Sequence, residues 1–254
     1  MTTKIITFIY LGLLSFILNL SAHASDFTLI KTHYIHQPLF MQGLQFDHQT
    51  GKLLYSSGLY GQSQIGYLDL LSGMPYHAQS LPSNLFAEGI AITPHGVWQV
   101  TWREKIAILW TLPKLQPQYI TNITTEGWGL AYDFDRNIMW LSDGTATLQM
   151  RDAQNFEKIG EISVQQDNKP IKHINELEYA NGHIYANLWG SNTIVKINPI
   201  TAKVVKTYDF TTLVSPLNLQ KPEYVLNGIA HLNDDRFIIT GKYFPVAWEI
   251  QLNE

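Results

Sequence analysis

A short sequence pattern that recurs five times constrains the fold of this chain more than any other feature. In each copy a variable polar or aromatic residue is followed by a small residue, an aliphatic residue, any residue, and an aromatic or aliphatic residue. The fourth copy has glutamate in place of the small residue, and the small-residue positions of successive copies are 46, 40, 47 and 52 residues apart: Gly43, Gly89, Gly129, Glu176 and Gly228. A period of about 40 to 50 residues is typical of β-propeller blades, and a sandwich or barrel would not account for it.

Each copy leads into a turn and then into further alternating apolar runs, as strands joined by hairpins do. The first copy is followed by such runs at 52–56 and 65–69, and the fourth copy by runs at 193–198 and 203–208. No stretch after the N-terminal segment shows sustained helical periodicity. We therefore predict an all-β fold in which residues 25–254 form a single five-bladed β-propeller with a central channel.

The N-terminal segment has the order of a secretory signal peptide. Lys4 precedes an apolar run at 5–20, and the small-x-small sequence at 22–24 follows. The run has 16 residues, fewer than the roughly 20 apolar residues of a spanning helix; an uncleaved anchor is the alternative. We expect residues 1–24 to be removed and the mature protein to be exported to the periplasm or secreted, with no membrane attachment after cleavage.

Composition excludes several classes of function. The formal net charge is −4 and no basic run is present, so a nucleic-acid partner is not expected. The absence of cysteine excludes disulfides, thiolate metal sites and a thiol nucleophile, and suits an oxidising compartment. The nine histidines lack zinc-ligand spacing, and the Asp133-x-Asp135 pair reads as a hairpin turn and not a calcium loop. The sequence leaves open whether a structural calcium ion occupies the channel.

The innermost strand of a propeller blade lines the channel, with alternate residues facing it. The variable positions of the five copies are therefore expected to form one ring: Gln42, Glu88, Trp128, Asn175 and Asn227. A second set follows 14 to 16 residues later: Gly58, Trp102, Asp143, Trp189 and Lys242. Together they predict a small polar pocket with aromatic walls, suited to a compact, mostly neutral ligand. The alternatives are blade packing for the tryptophans, backbone hydrogen bonding for the amides and Glu88, and a solvated turn for Lys242.

Ten short strings along the chain resemble, in their order, the plant-type glutaminyl-peptide cyclotransferases, also called glutamine cyclotransferases. They are FMQGL (40–44), SGLYGQS (57–63), FAEG (86–89), TW (101–102), EGWGL (126–130), SDG (142–144), NELEY (175–179), ANLW (186–189), LNGIA (226–230) and TGKY (240–243). The resemblance spans nearly all of residues 25–254. It implies a five-bladed propeller, in agreement with the repeat count.

The resemblance also implies roles for seven residues. Glu88 corresponds to the essential acid of the family. The aromatic pocket of the family corresponds to Trp102, Trp128 and Trp189. Its polar substrate contacts correspond to Gln42, Asn175 and Lys242. Two departures occur: Met41 stands where threonine is usual, and Phe244 where tryptophan is common. Met41 affects the local hydrogen bonding beside Gln42 and not the chemistry.

The activity implied by the resemblance is cyclisation of an N-terminal glutamine to pyroglutamate with release of ammonia. The substrate supplies its own nucleophile, so one carboxylate suffices and no metal or other cofactor is required. The expected partners are peptides or proteins with N-terminal glutamine, and we expect a monomer. Two other functions compete with this one. The first is a non-catalytic peptide- or sugar-binding propeller; the second is a calcium-dependent, lactonase-like hydrolase, for which Glu88 and Asp143 supply too few carboxylates.

Overall fold

The computed structural model describes residues 25–253, so the predicted signal peptide lies outside the described residues. Within this range the chain forms 22 strands, arranged as five sheets. Each of the first four blades is one sheet, and its four main strands come from a single copy of the sequence repeat. The prediction of an all-β, five-bladed propeller is confirmed.

The strands follow the repeat blade by blade. Strand β1 (Phe27–Tyr34) lies before the first repeat. Blade 1 consists of β2 (Met41–Asp47), β3 (Lys52–Ser57), β4 (Gln64–Asp69) and β5 (Met74–Ser80). Blade 2 consists of β6 (Ala87–Thr93), β7 (Gly96–Thr101), β8 (Ile106–Trp110) and β9 (Pro117–Asn122). Blade 3 consists of β10 (Leu130–Asp133), β11 (Ile138–Ser142), β12 (Thr147–Asp152) and β13 (Lys158–Ser163). Blade 4 consists of β16 (Ile174–Ala180), β17 (His183–Leu188), β18 (Thr193–Asn198) and β19 (Lys203–Asp209), extended by the hairpin β14 (Gln165–Gln166) and β15 (Lys169–Pro170). Blade 5 contains β20 (Leu226–Asn233), β21 (Arg236–Gly241) and β22 (Val246–Leu252).

Blade 5 takes its outer strand from the other end of the chain. Strand β1 pairs antiparallel with β22, so that Phe27 lies opposite Leu252. Beyond the strands, the Asn253 amide donates to the Asp26 carbonyl oxygen at 2.9 Å. The repeat pattern alone does not predict this closure, because β1 precedes the first copy.

The innermost strands β2, β6, β10, β16 and β20 contact one another in cyclic order around the channel. The buried apolar clusters lie between the faces of adjacent blades. Trp98 of blade 2 packs against Phe156 of blade 3, with ring centres 4.7 Å apart, and Tyr185 of blade 4 packs against Phe237 of blade 5 at 4.8 Å. This inter-blade burial of aromatic side chains fixes the ring of blades that surrounds the channel.

Glycines of the repeat lie where neighbouring inner strands come closest. A Cβ atom at Gly89 would lie 2.6 Å from the Gly129 Cα, and one at Gly129 would overlap the Asn175 carbonyl oxygen. Blade 4 carries Glu176 at this position. Its Oε1 accepts from the Leu44 amide at 3.1 Å and its Oε2 from the Ile229 amide at 3.0 Å. The one exception to the small-residue pattern therefore joins blade 4 to blades 1 and 5 across the channel.

Helical structure is confined to one connection among residues 25–253. The segment between blades 4 and 5 contains the helix α1 (Thr211–Val214) and a 3₁₀ turn (Ser215–Leu217). Neither has the length or apolar character of a membrane-spanning helix, and the described part of the chain contains no such helix.

Candidate active site

A cavity of about 440 Å³ opens at one end of the channel. Its lining comes from all five blades or the loops that precede them: Phe40, Gln42, Phe86, Glu88, Trp102, Trp128, Asn175, Trp189, Glu223 and Lys242. The seven residues that the sequence assigned to the site are all among them. The structure thus brings the seven together in one cavity.

Irregularities in the inner strands aim several of these side chains into the cavity. The pairing of β2 with β3 shifts register at Gln42, and the pairing of β6 with β7 shifts at Glu88. A similar shift occurs at Asn175 in the pairing of β16 with β17. A β-bulge leaves a residue unpaired in the ladder and redirects its side chain. In blades 1, 2 and 4 the variable position of the repeat is therefore the place where the inner strand presents a side chain to the cavity.

Three other positions of the two predicted rings do not line the cavity. Asn227 lies behind it, where its Nδ2 donates to the Met41 carbonyl oxygen at 3.0 Å and to Gln42 Oε1 at 3.3 Å. Asp143 Oδ1 accepts from the amide and hydroxyl of Thr145, so Asp143 stabilises a turn. Gly58 makes room for Phe86, whose Cε1 would lie 2.5 Å from a Cβ at this position.

Glu88 is the carboxylate inside the cavity. Its side chain is buried, with the residue 5% exposed. Burial raises the pKa of Glu88 well above its ordinary value, and the charges of Glu126 and Glu104 raise it further. The charge of Lys242 opposes this rise. Glu88 is thus a carboxyl group with an unusually high proton affinity.

Lys242 follows the last residue of β21 and is as buried as Glu88. Its backbone amide donates to the Val225 carbonyl oxygen at 2.9 Å, which fixes the start of the side chain. The Nζ atom lies 5.0 Å from the centre of the Phe40 ring, a cation–π distance. Burial lowers the pKa of Lys242, whereas the negative charge of Glu88 raises it.

The tryptophans form the walls of the cavity. The rings of Trp128 and Trp189 meet edge to face, with centres 6.4 Å apart. Trp189 is 42% exposed and stacks on His173, which places it at the mouth. Gly144 leaves room for Trp128: its φ is +80° and a Cβ there would lie 2.6 Å from the indole. The predicted alternative of blade packing therefore does not describe Trp128 or Trp189.

Two amide side chains complete the polar surface of the cavity. Gln42 Oε1 accepts from Asn227, which holds the amide of Gln42 in one orientation. Asn175 is 2% exposed, and its Oδ1 has no hydrogen-bond partner among residues 25–253. The backbone carbonyl of Asn175 accepts from the Ser142 hydroxyl at 2.6 Å, which ties the residue to blade 3.

Several residues of the site were missed by the sequence reasoning. Four of them stand two residues before a ring position, in the segment that leads into the inner strand: Phe40, Phe86, Glu126 and His173. This shared offset from the ring position is the signal that could have found them. Glu223 lies in the connection between blades 4 and 5, outside the repeat, and no sequence signal marks it.

No group of three or more His, Cys, Asp or Glu side chains suited to a metal ion occurs between residues 25 and 253. In the cavity itself, Glu88 is accompanied by an exposed carboxylate, Glu223, at the rim. The groups that converge there are one buried carboxyl, one buried amine and two amides. Such a set can transfer a proton and bind a polar group between aromatic walls.

The fold and the cavity define a five-bladed β-propeller whose central cavity holds a buried carboxyl group between aromatic walls. The family model of glutamine cyclotransferases matches residues 14–252. The chain therefore belongs to the glutamine cyclotransferase family. It is 30% identical over 232 residues to the glutaminyl-peptide cyclotransferase of Arabidopsis thaliana, covering 89% of this chain and 71% of the relative.

Solved structures agree with this assignment. The glutaminyl cyclase of Myxococcus xanthus superimposes with a TM-score of 0.82 and 33% identity, covering 89% of this chain and 96% of that one. The calcium-binding protein regucalcin of Agrobacterium tumefaciens matches with a TM-score of 0.55 and 12% identity, covering 91% and 96% of the two chains. The second likeness concerns the fold alone.

Proposed function

We propose that this protein converts the N-terminal glutamine of peptides and proteins into pyroglutamate and releases ammonia. The observation that carries the proposal is the placement of Glu88, a buried carboxyl group with a raised pKa, in the same cavity as Lys242 and between tryptophan walls. Membership of the glutamine cyclotransferase family supports the reaction type.

The reaction needs a proton to move between two nitrogen atoms of the substrate. The α-amino nitrogen attacks the side-chain amide carbon, and a carbon–nitrogen bond of the five-membered lactam forms. The bond from that carbon to the amide nitrogen then breaks, and this nitrogen leaves as ammonia after gaining a proton. The attacking nitrogen loses a proton, so one group that accepts and then donates it balances the reaction.

Glu88 is suited to this relay. As a carboxylate it accepts the proton from the attacking amine, and as a carboxylic acid it donates the proton to the leaving nitrogen. Its burial raises the pKa of the carboxyl group towards the range in which both forms are accessible at neutral pH. A carboxyl group with an ordinary pKa would be a weaker base and a less abundant acid under the same conditions.

The other polar groups bind and orient the substrate. Lys242 keeps N–H groups whether it is charged or neutral, and we assign to it the stabilisation of the oxygen that becomes negative during attack. Asn175 and Gln42 hold the glutamine side chain and the amine at attacking distance. Trp102, Trp128 and Trp189 contact the methylene groups and exclude water from the reacting atoms.

Cofactors, assembly and location are part of the same proposal. Because the substrate carries its own nucleophile and Glu88 moves the proton, the reaction needs no metal ion or organic cofactor. We propose that the protein acts as a monomer. We also propose that it is exported, on the strength of the basic, apolar and small-residue order of segment 1–24.

The test is incubation of the purified protein with a glutamine-initiated dipeptide and excess chelator, followed by ammonia measurement. Ammonia release with a mass loss of one ammonia from the peptide is the expected result. Binding of the dipeptide without ammonia release would indicate a non-catalytic propeller. Chelator-sensitive hydrolysis of a lactone would indicate a calcium-dependent hydrolase, and either result would overturn the proposal.

A further inference from the structure

A single carboxylate oxygen joins two tryptophans of the cavity wall. Glu126 Oε2 accepts a hydrogen bond from Trp102 Nε1 at 2.8 Å and another from Trp128 Nε1 at 3.1 Å. Trp102 follows strand β7 of blade 2, whereas Trp128 precedes strand β10 of blade 3. Glu126 thus fixes two side chains that belong to different blades.

These contacts decide what the tryptophans present to a ligand. The indole N–H is the one polar group of a tryptophan side chain, and it needs an acceptor where the ring is withdrawn from water. Both N–H groups are directed to Glu126, so the parts of Trp102 and Trp128 left for contact in the cavity are apolar. Apolar walls suit the methylene groups of a glutamine side chain.

The backbone around Glu126 is fixed as well. The Gly127 amide donates to the Thr101 carbonyl oxygen at 3.1 Å, and a Cβ at Gly127 would lie 2.6 Å from Val100 Cβ. The loop is therefore pressed against β7, and a side chain at this position would displace it. The Arg103 guanidinium lies 3.9 Å from the centre of the Trp102 ring and adds a contact to the ring face.

We propose that Glu126 is a positioning residue, which fixes Trp102 and Trp128 relative to each other and so sets the width of the cavity for the glutamine side chain. The inference rests on the proposed function and deepens it. It assigns an effect on substrate binding to a residue that acts through the two indoles.

Glu126 also belongs to the set of charges that act on Glu88. Glu126 and Glu104 raise the pKa of Glu88, and Lys242 lowers it. Of the two acidic residues, Glu126 contacts the indoles, whereas Glu104 accepts from the Tyr60 hydroxyl and the Phe86 amide. Glu104→Gln is therefore a matched control, because it removes a similar charge and leaves both indole hydrogen bonds in place.

The experiment compares Glu126→Ala, Glu126→Gln and Glu104→Gln with the wild type in cyclisation of a glutamine-initiated dipeptide. Loss of two charge-assisted hydrogen bonds is expected to raise KM about tenfold in Glu126→Ala, with a smaller change in kcat. Glu126→Gln keeps an acceptor oxygen and is expected to raise KM only about threefold. Near-ultraviolet circular dichroism, which reports aromatic packing, should change in Glu126→Ala and not in Glu104→Gln.

A second comparison separates positioning from a general loss of structure. Trp102→Phe and Trp128→Phe together retain two rings and remove both N–H donors. In this double variant, adding Glu126→Ala should change KM by less than about twofold, because the interaction it removes is already absent. The pH profiles of Glu126→Gln and Glu104→Gln should both move to lower pH, since each loses a charge that raises the pKa of Glu88.

The outcomes separate this inference from the proposed function. An unchanged KM and an unchanged near-ultraviolet spectrum in Glu126→Ala, with an active wild type, would overturn the positioning role. A tenfold effect that persists in the phenylalanine double variant would overturn it too. If the wild type releases no ammonia, the proposed function fails, and the spectra of the same variants still decide whether Glu126 orders the two indoles.

Discussion

Glu88 and Lys242 line the same cavity and are equally buried, and each favours the charged form of the other: Lys242 lowers the pKa of Glu88, and Glu88 raises the pKa of Lys242. Burial acts in the opposite direction on both residues and is the larger effect. The protonation state of each residue therefore depends both on burial and on the charge of the other residue. This relationship makes the role of each residue accessible to pH-dependent kinetics.

Replacement of Glu88 by glutamine should remove turnover and leave binding largely intact. Glutamine has nearly the same size and cannot relay a proton, so kcat should fall by about 10²- to 10⁴-fold with KM little changed. Steady-state kinetics with a glutamine dipeptide, and circular dichroism as a control for folding, measure this. A kcat within about threefold of wild type would show that another group moves the proton.

Replacement of Lys242 by methionine should move the pH profile upwards. The positive charge of Lys242 lowers the pKa of Glu88, so its removal raises that pKa, and the limb of the kcat profile that follows Glu88 shifts to higher pH. The acid limb of kcat/KM should remain, because the substrate amine, with a pKa of about 7.7–8.0, must be neutral to attack. An unshifted kcat limb would contradict the interaction between the two residues.

Replacement of Trp189 by alanine should weaken substrate binding with little loss of stability. The side chain is 42% exposed and contacts Trp128 and His173 at the mouth, so it contributes less to packing than a buried indole does. We expect KM to rise several-fold and Tm to change by less than about 2 °C. Trp98, which is fully buried between blades, provides the contrast: Trp98→Ala should lower Tm strongly.

Glu178 should make the stability of the fold fall as pH rises. Burial raises the pKa of Glu178 from 4.5 to about 8, although hydrogen bonds from the His231 and Tyr179 amides and from Gln45 oppose the rise. A folded-state pKa above the unfolded one means that the folded state binds the proton more tightly, so this contribution is lost as pH rises from about 4.5 to about 8. Denaturant midpoints across this range should fall less in Glu178→Gln than in the wild type. Equal slopes would contradict the prediction.

The mature protein should begin at Ser25. Cleavage after residue 24 is expected from the small-x-small sequence that follows the apolar run. Intact-mass measurement of protein purified from the native source provides the test. A mass that retains residues 1–24 would indicate an uncleaved anchor.

The parts of the fold and site that could be predicted are those encoded by the repeat. Inner strands recur at blade spacing, so Gln42, Glu88, Trp128 and Asn175 could be placed on one ring before any geometry was known. The repeat could not say which ring members face the cavity. That depends on local register shifts and on turn hydrogen bonds, such as those that turn Asp143 away.

Two features lie outside what the repeat encodes. The role of Glu126 depends on the direction of a short loop and on an indole from a neighbouring blade, and neither follows from spacing within one copy. The pairing of β1 with β22 joins segments more than 200 residues apart, and β1 carries no copy of the motif. Long-range partners of this kind are set by closure of the ring and not by local sequence.

The position of β1 also has a consequence for the order of folding. The ribosome delivers β1 before the strands of the five blades, yet its partner β22 is the last of the described strands. Bringing such distant segments together carries a large loop-closure entropy, which is compensated only once the intervening blades have condensed. Strand β1 is thus synthesised before the blades but pairs after them, and until then β1 and the outer edge of β22 present unpaired backbone groups. Pairing of β1 with β22 makes unfolding of the ring cooperative, because no blade can then separate from its neighbours unless this pairing is broken.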